Sequence, residues 1–231
     1  MTRDARDPER WRRLRRRLRR PVRFGTLRRT SPISDHWGRD RGTPIDRWYI
    51  DRFLGANQAD VRGRALEVRD AGYLTRFGGA VSSIDILDVD PANPQATIVA
   101  DLSAPGALPD ARFDVIVLTQ VLQYVADVPV AIATLHAALA PGGTLLLTVP
   151  GISRIGRSDL EVDLWRFTPA GMARLLHATF DPADVEVAGH GNVLAATAFV
   201  AGVAAEELQE RELEVHDPAF PVVVTVRAVR R

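Results

Sequence analysis

The sequence predicts an α/β protein: a seven-stranded, doubly wound sheet preceded by an N-terminal helical extension. Three observations carry that expectation. From about residue 61 onward, short β-patterned runs alternate with helix-patterned ones, the order that produces parallel strands with helices on both faces. The run Phe113-Asp114-Val115-Ile116-Val117-Leu118 is apolar at all but one position, as a strand buried on both faces must be. The chain, at 231 residues, is long enough for one large domain with an appendage.

Residues 1–30 are expected to form a basic tail, helical or disordered. Trp11, Leu14 and Leu18 recur at i, i+3 and i+7, a narrow apolar stripe on an otherwise basic segment. Residues 31–60 are expected to form a helical cap. Gly42-Thr43-Pro44 reads as a turn, with Thr43 capping a helix and Pro44 at its first position. Ile45, Tyr49, Ile50, Phe53 and Leu54 supply that helix's apolar face. The main domain, 61–231, opens with a strand over Ala65 to Val68, followed by strands over Val81 to Ile86, Thr97 to Ala100 and Phe113 to Leu118. A helix is expected over 128–139, with Val128, Ile132, Leu135 and Leu139 on one side. Pro141-Gly142-Gly143 ends it, and a fifth strand runs from Thr144 to Val149. A helix from Pro169 to Thr179, a strand from Val185 to Ala188, a mostly helical 193–213 and a strand from Pro221 to Val229 complete the series.

Composition excludes several chemistries. The chain has no cysteine, so disulfides, thiolate zinc sites, iron–sulfur clusters and cysteine nucleophiles are out. No His/carboxylate cluster has metal-ligand spacing. The longest nearly apolar run, Val193 to Ala205, falls short of the roughly 20 residues of a membrane span. The charged N-terminus has no apolar stretch behind it, unlike a secretory signal, so a soluble cytoplasmic protein is the expectation. The formal charge of +1 conceals an asymmetry. Residues 1–30 hold 13 arginines against three acids, a net of +10, which leaves −9 for the rest of the chain. The tail could meet nucleic acid or an anionic membrane surface, or the acidic remainder of its own chain.

In doubly wound sheets, ligands bind outside the carboxyl ends of the strands, so the informative residues are those that follow strands. Glu67 stands near the end of the first strand and is followed by Val68-Arg69-Asp70-Ala71-Gly72-Tyr73. Asp85, 18 residues after Glu67, lies in the second strand and could accept from ribose hydroxyls. Asp101-Leu102 follows the third, where a carboxylate suits an exocyclic amine such as that of adenine. Three acids on three successive strands point to a nucleoside-bearing ligand. The absence of Gly-x-Gly-x-x-Gly after the first strand argues against a nicotinamide.

With these residues in view, 61–231 resembles the class I S-adenosylmethionine-dependent methyltransferases. The resemblance rests on Glu67, Asp85, Asp101-Leu102, the run from Phe113 through Thr119-Gln120-Val121-Leu122, and Leu139-Ala140-Pro141-Gly142-Gly143-Thr144-Leu145. The segments Arg23 to Arg29, Gly42 to Arg47 and Asp159 to Thr168 are similar to a narrower bacterial, type 11-like subgroup, some members of which stand beside sugar-transfer or tailoring enzymes. The resemblance implies a Rossmann-like methyltransferase sheet and S-adenosyl-L-methionine as cofactor. It implies that Glu67 orients the loop ending at Gly72 and the methionine amino group, that Asp85 takes the ribose and Asp101 with Leu102 the adenine, and that Thr119 and Gln120 lie beside the cofactor. One residue departs from the pattern: Arg69 stands where the family loop has its first Gly. Glycine there permits positive φ and close approach to a ligand. A guanidinium 4 Å from a sulfonium would repel it by about 4 kcal/mol at an effective dielectric of 20. Arg69 could instead grip the methionine carboxylate or pair with Asp70.

The implied reaction is methyl transfer to an oxygen or nitrogen of a small molecule, such as a sugar or secondary metabolite. It needs alignment above all, with a general base for an oxygen acceptor. His216 and Asp163 are the candidate bases. Tyr49, Gln123, Tyr124, Trp165 and His190 are the candidate acceptor contacts, and Asn192 and Asp217 lie on connections at the same edge. Two further functions compete: a cofactor-binding protein without turnover, prompted by Arg69, and an RNA-directed methyltransferase using the tail. Against base amino-methylation, the fourth strand leads into Thr119-Gln120-Val121-Leu122 rather than an Asn/Asp-Pro-Pro-aromatic motif.

Overall fold

The computed structural model describes residues 25–231; the stripe of Trp11, Leu14 and Leu18 lies outside the described residues. Residues 33–231 form one compact unit. Residues 25–32, which contain a single 3₁₀ turn at Gly25–Leu27, fall outside that unit. The cap expected over 31–60 is therefore continuous with the main body from Ile33 on.

The unit is built on seven strands: β1 (Arg62–Val68), β2 (Ala80–Asp88), β3 (Ile98–Val99), β4 (Phe113–Thr119), β5 (Leu139–Pro150), β6 (Val185–His190) and β7 (Val223–Val229), in the order β3-β2-β1-β4-β5-β7-β6. The first five pair in parallel, and β7 runs antiparallel to both β5 and β6. β6 is thereby parallel to β5, so the carboxyl ends of β1 to β6 share one edge of the sheet. β4 lies central, and five of its seven residues are buried.

Alternating side chains divide the core into two layers. On one face Leu66, Ile116, Leu118, Leu145 and Leu147 meet helices α3 (Val128–Ala138) and α4 (Pro169–Leu176). On the other, Ala65, Val115, Val117, Leu146 and Val223 meet α1 (Ile45–Ala56), α2 (Gly72–Phe77) and α5 (Val193–Ala201). A short α6 (Glu210–Leu213) follows. Side-chain oxygens cap the three best-defined helices. Asp127 accepts from the Val130 N–H at 3.1 Å, Thr168 from Gly171 at 3.1 Å, and Asn192 from Leu194 and Ala195 at 2.9 and 3.0 Å. Gly202, at φ +78°, ends α5 in the left-handed conformation that glycine adopts without strain.

Several expectations change. Thr43 does not cap α1: its N–H and hydroxyl both donate to the Glu206 carboxylate, at 2.8 and 2.6 Å, and Pro44 is the residue before the helix. Pro141-Gly142-Gly143 does not precede β5 but lies inside it, with Gly142 at φ +79°. The 193–213 stretch breaks at Gly202 into α5, a 3₁₀ turn and α6. β3 is only two residues long, and both its connections, 89–97 and 100–112, lack a helix, so the sheet is less fully wound at that edge.

Candidate active site

The end of β1 builds the first wall. Glu67 is buried, and its two carboxylate oxygens accept the N–H groups of Tyr73 and Leu74 at 3.1 and 2.8 Å. It thereby fixes the first turn of α2. Burial pushes its carboxyl up to about 7, against the pull of those two donors. Asp70 accepts the Gly72 N–H at 2.9 Å, closing the turn between strand and helix. Within it Arg69 sits at φ +74°, a region costly for any residue with a Cβ. The backbone thus takes the left-handed form that a glycine would adopt freely. The Arg69 N–H donates to Leu87 and its carbonyl accepts from the Asn93 amide at 2.8 Å. The guanidinium is exposed and forms no ion pair within 4.0 Å among the described residues, so the pairing with Asp70 considered above is not made.

The second wall differs from expectation. β2 runs three residues past Asp85, and the acid at its end is Asp88, next in register to Arg69 because Val68 pairs with Leu87. Asp85 lies below that edge, with its carboxylate taken by Arg112 at 2.8 Å and the Thr97 hydroxyl at 2.9 Å. Burial would raise the Asp88 carboxyl, but the Asp90 N–H, the Asn93 amide at 2.6 Å and the nearby Arg69 charge together hold it below the usual range. Asp101 is exposed and accepts the Ser103 N–H at 2.8 Å, while Leu102 beside it is buried in the core.

The floor lies at the ends of β4 and β5. Thr119 pairs in register with Thr148, and Thr148 with Thr225. Gln120, at φ +55°, donates its N–H to the Thr148 carbonyl at 2.8 Å. The Gln123 amide donates to the Gln120 carbonyl at 2.9 Å. Three buried polar atoms here have no partner among the described residues: Gln120 Nε2, Gln123 Oε1 and Thr148 Oγ1. An unmet buried polar group costs about 1–3 kcal/mol, so three at one strand edge point to a polar ligand. Arg47, on the first turn of α1, lies near α2: among the described residues its half-buried guanidinium reaches the Tyr73 hydroxyl at 3.4 Å and Asp46 at 3.8 Å and no other polar side chain.

Two segments roof this edge. In 151–168, Leu164 donates its N–H to the Gln123 carbonyl at 2.8 Å, and Trp165 Nε1 donates to Val125 at 2.9 Å. Tyr124 remains half-exposed, its hydroxyl 3.3 Å from Asp159. Segment 33–43 meets it through Arg154, which donates to the Asp35 carbonyl and lies 4.2 Å from the Trp37 ring centroid, and through Arg157, 3.0 Å from the Asp35 carboxylate. Asp163 is inside this roof, its side chain only 5% exposed and paired through both oxygens with Arg166. It offers no free carboxylate to a substrate.

Tyr49, His190 and His216 lie elsewhere, lining a cavity along β6. β6 is three places from β4 in the sheet, roughly 14 Å at the usual strand spacing. Glu67, Arg69, Gly72, Thr119, Gln120, Gln123 and Tyr124 thus all lie at or just beyond the carboxyl ends of β1 and β4, whereas Tyr49, His190 and His216 line the cavity along β6. Asp88, Arg47 and Thr148 were missed. Asp88 had a signal: it is the last acid on the alternating run before the Asp90-Pro91 turn.

A family model described as a methyltransferase domain matches residues 49–201. No curated protein matches the sequence. Among solved structures, an S-adenosylmethionine-dependent methyltransferase from Mesorhizobium loti shares 19% identity and a TM-score of 0.51, covering 80% of this chain and 98% of its own. The N-methyltransferase NodS from Bradyrhizobium japonicum shares 15% identity and a TM-score of 0.51, over 81% and 97%. The [4+2]-cyclase SpnF shares 17% and 0.52, over 82% and 83%. At these identities the structures agree in fold, and one fold hosts several chemistries.

Proposed function

Because the chain belongs to the methyltransferase-domain family, we propose that it is an S-adenosylmethionine-dependent methyltransferase acting on an oxygen or nitrogen of a small molecule. The observation that carries this is the set of unpartnered buried atoms on Gln120, Gln123 and Thr148, beside the turn held left-handed at Arg69. An amino acid–nucleoside ligand has the donors and acceptors to satisfy such a set. Glu67 holds the turn through Gly72 in shape, and Asp88 takes the ribose hydroxyls, the role first expected of Asp85. Asp101 with the Leu102 backbone takes the adenine, and Thr119 and Gln120 flank the methionine portion. Arg47, short of partners, is the group for its carboxylate.

Bound there, the cofactor supplies an electrophilic methyl group on a sulfonium. The protein's part is to align an acceptor against it and to exclude water, which suits an in-line displacement. The Gln123 amide and the Tyr124 hydroxyl supply polar contacts for an acceptor, and Trp165 an apolar edge. Asp163 acts through Arg166 as a positioning residue of the roof. The roof over the strand ends favours a small acceptor over a polymer.

Calorimetric titration with S-adenosylhomocysteine tests the assignment. Binding to the parent protein is expected in the micromolar range. Asp88→Asn removes charge-assisted hydrogen bonds of about 1.5–3 kcal/mol each and should weaken binding at least tenfold, while Asp85→Asn should leave it within twofold. Arg69→Gly, which removes a cation from the crevice, should tighten it three- to tenfold. No heat with the parent, or equal losses from the two Asp variants, would count against the proposal.

A further inference from the structure

The cavity along β6, about 600 Å³ in volume, is used by nothing in the methyl-transfer reading. Its walls include Trp48, Tyr49 and Phe53 from α1, His190 from β6, and Val215 and His216 from the segment after α6. These walls are fixed by bonds of their own. The Tyr49 hydroxyl donates to the Leu213 carbonyl at 2.8 Å, and its ring stacks on the His190 imidazole at 6.0 Å with 29° between planes. The Arg52 guanidinium lies 4.5 Å from the Trp48 ring centroid and donates to Glu210 and Glu214 at 2.8 Å each. Asn192 donates to the Glu212 and Val215 carbonyls at 2.7 and 2.8 Å, holding the segment that carries His216, and the Asp217 N–H donates to Gly191 at 2.9 Å. His190 Nε2 lies 2.8 Å from the Thr225 hydroxyl.

The charges on these walls are unequally matched. Arg52 is shared between two carboxylates, Glu214 on the cavity wall and Glu210 outside its lining. That leaves two imidazoles on one cavity, and neither enters an ion pair among the described residues. Aromatic walls accept a flat apolar ring, and a pair of imidazoles with no acid of their own accepts an anion. We propose that this cavity is a second ligand site, taking a planar aromatic acid whose ring packs among Trp48, Tyr49 and Phe53 and whose carboxylate lies against His190 and His216. Burial and the neighbouring His216 charge hold His190 below its ordinary value. A bound carboxylate favours the charged form of the His190 imidazole, so binding takes up a proton and weakens as pH rises from 6 to 8. The other ionisable groups facing the site are Tyr49, Arg52, Glu210, Glu214 and Asp217, and burial pushes the Tyr49 hydroxyl up to about 12.

The test is titration of the full chain with 2-naphthoate, followed by tryptophan emission and by the ring C–H NMR signals of the five histidines. Expected are a sub-millimolar Kd at pH 6.0, at least fivefold weaker binding at pH 8.0, and at least fivefold weaker binding of 2-naphthamide. Signals assigned through His190→Gln and His216→Gln should move, while those of His36, His136 and His177 stay. His216 is exposed, so His216→Gln should keep the parent's melting temperature and lose at least fivefold in affinity. Saturating S-adenosylhomocysteine should leave naphthoate binding unchanged, so the site stands or falls independently of the methyl-transfer proposal. Displacement by S-adenosylhomocysteine, equal binding of acid and amide, unaltered affinity in His216→Gln, or no binding up to 1 mM would each overturn it.

Discussion

Glu67 shows how one side chain couples fold to site. Its carboxylate accepts two N–H groups of α2, yet burial raises its carboxyl from 4.5 to about 7. The folded state therefore binds this proton more tightly than the unfolded chain does. Its contribution is fully present below about pH 4.5 and is lost as pH rises through 7. At about 1.4 kcal/mol per unit, the full loss across that window is about 3.5 kcal/mol. Glu67→Gln cannot titrate, so urea unfolding from pH 5 to pH 8 should show the parent losing about 2–3 kcal/mol relative to the variant. Parallel pH curves for the two proteins would contradict the assignment. Arg69 shows what sequence alone leaves open at this scale. That the position wants a glycine's backbone was legible from the motif. That an arginine would adopt φ +74° there was not, because the strain is offset by two long-range hydrogen bonds, to Leu87 and from Asn93.

Connecting elements, rather than strands, separate what was legible from what was not. All seven strands were legible in place, because each is a local apolar run, but the caps of α3, α4 and α5 by Asp127, Thr168 and Asn192 were not singled out, and Thr43, which was, caps no helix. The full length of β2 was not legible either: Leu87 and Asp88 extend the expected strand because β1 and β3 pair with them, a long-range cause that puts Asp88 rather than Asp85 at the strand's end. The 151–168 roof is likewise held by tertiary bonds. Arg166 is its fastener, donating to Asp163 through two nitrogens and to the carbonyls of Arg154 and Trp165. Arg166→Ala leaves the nearly buried Asp163 carboxylate without its counter-charge. Breaking a fully buried pair costs about 3–5 kcal/mol. The Arg166 side chain is 27% exposed, which brings the expected loss to about 2 kcal/mol. Hydrogen exchange should speed up over 151–168 before it does over β4 or β5. Unchanged exchange in the roof would show that the Leu164 and Trp165 bonds suffice.

Across the whole molecule the dominant feature is charge separation along the chain: +10 over residues 1–30 against −9 over the remainder. The same arginines can be neutralised by an external polyanion or by this chain's own acids. If the chain's own acids are the partner, tethering gives them an effective concentration in the millimolar range, well above that of added nucleic acid at micromolar levels. The expected result is that a free peptide of residues 1–30 binds a 20-nucleotide single-stranded RNA with affinity that falls steeply with salt, by about 0.7 log units per tenfold salt for each neutralised phosphate. The full chain at 50 mM salt should bind the same RNA at least tenfold more weakly. The gap should narrow by 300 mM, as screening acts on both contacts. Fluorescence anisotropy at four salt concentrations measures all three quantities. Equal affinity of peptide and full chain at 50 mM would mean that the acidic remainder does not compete, and would shift the proposal from a small acceptor toward an RNA-directed methyltransferase.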